Sequence, residues 1–186
     1  MTQTREAPAS PRPETANATS QERLFGPQTA APMGHASVAP PQFDWTAPET
    51  WKAKAGSSMR LANFTIGDNG EAECFVTLLH GAGGGVEANV NRWRGQMGQT
   101  PLSADEIAAL PKIEALGRPS PFVEVSGAYT DMSGAERSGY LLYAVIVDLS
   151  GESVFVKMTG PEALLRGEKD HFTAFCQSLK MKEKSS

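Results

Sequence analysis

The sequence predicts an α+β domain, an antiparallel sheet with helices packed on it. Three observations carry this. Alternating apolar runs are paired through tight turns at Gly67-Asp68-Asn69-Gly70 and Leu149-Ser150-Gly151-Glu152. Two other segments repeat apolar residues at helical spacing. The resulting order, β-β-α-α-β-β-β-α, lacks the regular strand–helix alternation of a parallel α/β sheet.

The chain divides by composition near residue 42. Residues 1–42 hold seven of the 13 prolines (Pro8, Pro11, Pro13, Pro27, Pro32, Pro40 and Pro41), many alanines and no apolar periodicity. Such a segment buries too little apolar surface to offset the entropy of ordering, so a disordered Pro/Ala-rich tail is expected over 1–42. Residues 43–183 are expected to form the domain. A chain of roughly 140 residues buries about two-thirds of its unfolded surface, enough for one core.

The elements follow in order. Phe43, Trp45 and Trp51 form an aromatic entry segment that should pack on the domain edge. Met59–Ile66 reads as a strand with Ala62, Phe64 and Ile66 on one face. Its return strand, Glu71–Leu79, puts Ala72, Cys74, Val76 and Leu78 inward. A glycine-rich turn, His80-Gly81-Ala82-Gly83-Gly84-Gly85, then opens a helix whose stripe is Val86, Val90, Trp93 and Met97. Ser103 and Glu106 have capping-box spacing for a short helix through Ala109, which Pro111 ends.

Three strands are expected next, over Phe122–Tyr129, Tyr140–Asp148 and Ser153–Thr159, with a polar loop at Thr130–Ser138. The nearly continuous apolar run Leu141–Val147 implies a strand covered on both faces. Pro161 suits the first turn of a final helix, in which Leu165, Phe172, Phe175, Cys176 and Leu179 face the sheet. Gly167 marks a weak point in it, and Lys180, Lys182 and Lys184 suit its C-terminal end. Cys74 and Cys176 both fall on apolar faces and are expected to be buried thiols.

The glycine turn and the helix after it hold the candidate functional residues. A glycine-rich turn entering a helix can present backbone N–H groups to an anion. Gly81, Gly83, Gly84 and Gly85 are the candidates for that role, with Asn91, Arg92 and Arg94 on the helix. The bland reading competes: the glycines let the helix approach the sheet closely, and the arginines are solvated. Trp93 is expected in the core, and Asn89 and Gln96, flanking it, should hydrogen-bond backbone at the sheet edge. Trp51, Phe172 and Phe175 are likewise read as structural. Glu124 is read as an outward strand residue opposite an arginine.

Several activities lack their residues. Leu78-Leu79-His80-Gly81-Ala82-Gly83-Gly84 resembles an oxyanion-hole turn, but no G-x-S-x-G elbow follows. The dinucleotide pattern loses its third glycine to Val86, and the P-loop Lys-Ser/Thr pair is missing. His80 and His171 have no ligand-type neighbours at metal spacing. A net charge of −4 without a basic block argues against nucleic acid. No apolar run has the length of a membrane span, and the N-terminus lacks the basic-then-apolar pattern of a signal peptide. The chain as given is therefore expected in the cytoplasm; a start further upstream would make the cell envelope the alternative. The Asn17 and Asn63 sequons then carry no meaning.

The entry Ala47-Pro48-Glu49-Thr50-Trp51, the strand Ser58-Met59-Arg60-Leu61-Ala62, the ending Phe155-Val156-Lys157-Met158-Thr159-Gly160-Pro161 and the final F-x-x-F-x-x-S-L resemble a PsbP-like fold. More narrowly, N-x-N-R-W-R-x-Q at Asn89–Gln96 resembles an uncharacterised bacterial lipoprotein-like family, DcrB-like in fold. The resemblance spans Trp45 to about Lys182. It implies an α/β/α sandwich over a central antiparallel sheet, in a group dominated by accessory and binding proteins. The lipoprotein pattern is incomplete, because a signal peptide and lipobox cysteine are missing. The expectation is a non-enzymatic binding or accessory domain on a flexible tether, with a protein partner and without cofactor or metal. The alternative is a small-anion or carboxylate binder using the glycine turn.

Overall fold

Residues 43–56, 59–81 and 84–182 are described in the computed structural model, and all belong to one unit, Pro40–Ser186. The expected tail over 1–42 lies outside the described residues.

Among the described residues, nine strands and four helices run in chain order. They are β1 (Phe43–Asp44), β2 (Lys52–Ala53), β3 (Arg60–Ile66), β4 (Ala72–His80), α1 (Gly85–Gln96), α2 (Ala104–Ala108), β5 (Lys112–Ala115), β6 (Arg118–Thr130), β7 (Glu136–Leu149), β8 (Glu152–Pro161), α3 (Glu162–Leu165), α4 (Lys169–Ser178) and β9 (Lys180–Met181). Seven strands form one antiparallel sheet in the order β2-β3-β4-β8-β7-β6-β5. Strands β1 and β9 make a separate ribbon, pairing Phe43 with Met181.

Period-2 alternation sorts side chains onto two faces. On one, Cys74, Val76, Tyr143, Val145, Val156 and Met158 meet Phe172, Phe175 and Cys176 of α4. On the other, Leu142, Ala144, Ile146 and Phe155 meet Val90, Trp93 and Met97 of α1. Helices on both faces of an antiparallel sheet make the chain an α+β, α/β/α sandwich. Leu141–Val147 is buried throughout because both layers cover β7. Both cysteines are free and fully buried, and burial pushes their thiol pKa values up.

Several details differ from the expectation. Strand β5 went unread, and β6 begins before Phe122. The β5–β6 turn is Leu116-Gly117, both at positive φ, so a leucine occupies a place where Asn or Gly would normally announce the hairpin. Pro119 and Pro121 interrupt the strand signal, yet both precede the first β7 pair, Phe122 with Val145. The loop expected over Thr130–Ser138 shrinks to residues 131–135. Pro161 ends β8 and precedes α3 instead of entering its first turn. The final helix is interrupted by a 3₁₀ turn, Arg166–Glu168, at the weak point Gly167.

Lys180 and Lys182 do not cap the last helix. It ends at Ser178; Lys180 lies in β9, Lys182 follows that strand and pairs with Asp44 at 3.1 Å, and Lys184 lies outside the described residues. Trp51 is buried beside Phe64 and Phe175, with its indole N–H donating to Glu168 at 2.8 Å. Glu124 meets Lys169 of α4 at 2.6 Å, where an arginine was expected.

Candidate functional site

The glycine turn is where the candidate residues begin. Gly81 donates its N–H to the Gly151 carbonyl at 2.8 Å, tying the end of β4 to the β7–β8 turn. Gly84 is the residue before α1, at φ 90° and ψ 0°, and Gly85 has φ 75°. A Cβ at Gly81 or Gly85 would meet nothing within 4 Å, and at Gly84 only side-chain atoms at ordinary contact distance. The expected close approach of helix to sheet is therefore not what these glycines provide; they provide left-handed backbone. Close approach occurs at the other end of α1, where a Cβ on Gly127 would lie 2.0 Å from the Met97 carbonyl oxygen. Gly83 lies outside the described residues.

The helix motif mostly binds the helix to its own surroundings. Asn89 is buried and its amide donates to the Gly85 carbonyl at 2.7 Å, while its oxygen accepts from Arg92. Asn91 makes a two-way clamp on Leu102, donating to its carbonyl at 3.0 Å and accepting from its N–H at 2.8 Å. Trp93 packs edge-on against Phe155, with centroids 5.7 Å apart. Arg94 donates to the Thr100 carbonyl at 2.7 Å. Gln96, expected on backbone, instead accepts from the Lys157 ammonium of β8 at 2.9 Å. Of the polar candidates, Asn91, Arg92 and Arg94 are thus all engaged within the chain, and Arg92 is the exposed one.

Arg92 also lines a cleft that the sequence reading missed. Helix α1 covers β6, β7 and β8, whereas the same face of β3 and β4 carries no helix among the described residues. Asn63, Thr65, Glu73, Phe75 and Thr77 are accordingly only half-buried. Where the covered and uncovered halves meet, a cleft of about 270 Å³ opens beside α1. Its polar walls include Arg60, Arg92, Lys157, Gln96 and Glu73, and its apolar walls include Phe75, Trp93, Tyr129, Phe155 and Met132.

Three cations and one carboxylate line this cleft. Arg60 pairs with Glu73 at 3.2 Å and stacks over Phe75, its guanidinium carbon 4.0 Å from the ring centroid. Lys157 is only 7% exposed, and the hydrogen-bond acceptor facing it is the neutral Gln96 amide. Burial pushes the Lys157 amine down to about 8; Glu73 opposes that shift, and Arg92 and Arg60 add to it. The ammonium also lies 5.5 Å from the Tyr129 ring centroid. A lysine inside the buried apolar run Val154–Met158 was the signal that could have pointed here.

No family model and no curated protein matches the chain. Solved structures show weak similarity. A Bacteroides thetaiotaomicron protein has TM-score 0.46 at 10% identity, over 77% of this chain and 46% of that one, so the chain spans less than half its length. LpqN of Mycobacterium tuberculosis, involved in cell envelope biogenesis, has TM-score 0.44 at 14% identity over 80% and 88% of the two chains. A Pseudomonas aeruginosa protein of unknown function has TM-score 0.39 at 12% identity, over 77% and 85%. Among the described residues, no helix is long and apolar enough to cross a membrane, and no three metal-type ligands are grouped.

Proposed function

We propose that the chain is a non-enzymatic binding domain whose ligand is a small organic anion held in the cleft beside α1. The observation that carries this is Lys157, a buried cation whose hydrogen-bond partner is a neutral amide, in a cleft with two further cations. A buried charge facing so little negative charge is costly, and an incoming carboxylate would relieve that cost. Phe75 and Tyr129 offer apolar contact for the rest of the molecule, and a cleft of about 270 Å³ suits a ligand at the small end of the usual range. The resemblance to PsbP-like accessory proteins supports the non-catalytic reading. This moves the anion from the glycine turn to the sheet.

A protein partner is the second reading. Met132 is fully exposed on the cleft rim, a position from which it could contact a larger partner.

Isothermal titration of the full chain with phenylacetate, and with sulfate as a bare anion, tests the proposal. Saturable phenylacetate binding that weakens at least roughly tenfold in Lys157→Met and Arg92→Gln is expected. Equal affinities in wild type and both variants would place any binding elsewhere.

A further inference from the structure

Two further clefts hold reactive groups that packing and pairing already account for. The apolar cleft at Leu110, Ile113 and Phe122 holds only the Lys169–Glu124 pair, whose charges already satisfy one another. The cleft at Thr65 and Thr159 contains the Thr159 hydroxyl, which has no hydrogen-bond partner, but its acids are engaged with Asn69, Arg60 and Ser133. The Lys157 cleft differs, because its buried polar group is a primary amine at the wall of an open space.

We propose that Lys157 is a nucleophilic amine that captures a 2-oxo acid as an imine in the cleft beside α1. This rests on the anion-binding reading above and adds a covalent step to it. Arg92 and Arg60 line the same cleft as the amine, so one cleft offers cations for a carboxylate and an amine for the carbonyl beside it. Gln96 holds Nζ at 2.9 Å and fixes where the amine sits without neutralising it. Glu73, Arg60, Arg92 and Tyr129 are the charged and titratable groups around it.

The chemistry needs no oxidant or reductant. The uncharged amine adds to the carbonyl carbon, forming the C–N bond while the C=O π pair moves to oxygen. The nitrogen proton passes to that oxygen and gives a carbinolamine. The nitrogen lone pair then expels the hydroxyl, which leaves as water with the second nitrogen proton and gives C=N, so amine plus ketone becomes imine plus water. Burial and the neighbouring arginines favour the uncharged amine that the first step requires. At pH 7 roughly one amine in ten is then uncharged, against fewer than about one in a thousand for an exposed lysine.

The test incubates the full chain with phenylpyruvate and cyanoborohydride, which reduces any imine to a stable secondary amine. Peptide mass mapping then locates the adducts, with the chain's α-amine as internal reference. Lys157 should label more than roughly tenfold faster than Lys52, Lys54, Lys112, Lys180 and Lys182, and excess phenylacetate should suppress that labelling alone. Labelling spread evenly over the exposed lysines, with Lys157 unmodified, would overturn the inference. If phenylacetate still bound under those conditions, anion binding would stand without the covalent step. If it did not bind, both readings would fall together.

Discussion

The Lys157 ammonium donates to the Gln96 side chain at 2.9 Å, joining the central strand β8 to the last turn of α1. It is a charged group in a nearly closed setting, and it makes stability depend on pH. The folded amine titrates at about 8, below the ordinary lysine value of 10.5. Between those values the unfolded chain binds more protons than the folded chain, so stability rises with pH. Buried Cys74 and Cys176 have raised pKa values and act oppositely, because their unfolded thiols begin to ionise above about pH 8. Both proteins carry the cysteines, so the difference between wild type and Lys157→Met isolates the lysine. In urea unfolding from pH 8 to 9, wild type should gain up to about 1 kcal/mol relative to Lys157→Met, which itself loses stability through the thiols. Parallel curves for the two proteins would mean that Lys157 is well solvated.

Arg92 and Arg94 look equivalent in the sequence and are separated by the fold. Arg94 is bound to the Thr100 carbonyl at 2.7 Å, whereas Arg92 lines the cleft. Arg92→Ala should weaken phenylacetate binding at least roughly tenfold and, because it removes a donor to buried Asn89, also lower stability by about 1 kcal/mol. Arg94→Ala should leave binding intact and lower stability by about 1 kcal/mol through the lost carbonyl contact. Titration calorimetry beside thermal unfolding reads both; the reverse pattern would assign the anion to the outer face of α1.

Asn91 holds the α1–α2 connection through both polar atoms of its amide. Replacing it with alanine leaves the Leu102 N–H and carbonyl without those partners. The expected cost is about 1–2 kcal/mol, below the fully buried range because the site is partly solvated. Hydrogen exchange should locate the loss at Leu102 and the start of α2. Unchanged protection there would show that the clamp is dispensable.

Wherever one face is buried and the other solvated, alternation is clear: Ala72, Cys74, Val76 and Leu78 point inward as their spacing implies, and Val90, Trp93 and Met97 form one stripe. The Ser103–Glu106 capping box forms in both directions. Local chemistry was hidden where tertiary context decides. The Leu116 turn has no composition signal, and β1–β9 joins residues at opposite ends of the domain. The site was less legible still. Its residues come from β3, β4, α1, β6 and β8, and only Arg92 among them belonged to the candidate set. No spacing within one segment reveals that α1 stops short of β3 and β4. Trp93 and Gln96 stood in the motif, but their partners, Phe155 and Lys157, lie about sixty residues further along the chain.

Two glycines beside α1 separate conformational from steric need. Gly85 sits at φ 75° with open space where a Cβ would go. Alanine there meets only the intrinsic penalty of left-handed backbone, about 1–2 kcal/mol. Gly127 has ordinary φ, yet its added Cβ would lie 2.0 Å from the Met97 carbonyl oxygen. That atom is backbone at the end of α1, so the helix or β6 must shift as a unit, and the cost should reach about 3 kcal/mol. With a midpoint change of roughly 3 °C per kcal/mol for a domain of this size, Gly127→Ala should melt well below Gly85→Ala. Because the shift would displace the end of α1 that carries Gln96, Gly127→Ala should also weaken phenylacetate binding, whereas Gly85→Ala should not. Equal melting temperatures, or binding lost only in Gly85→Ala, would return the glycine turn to the centre of the site.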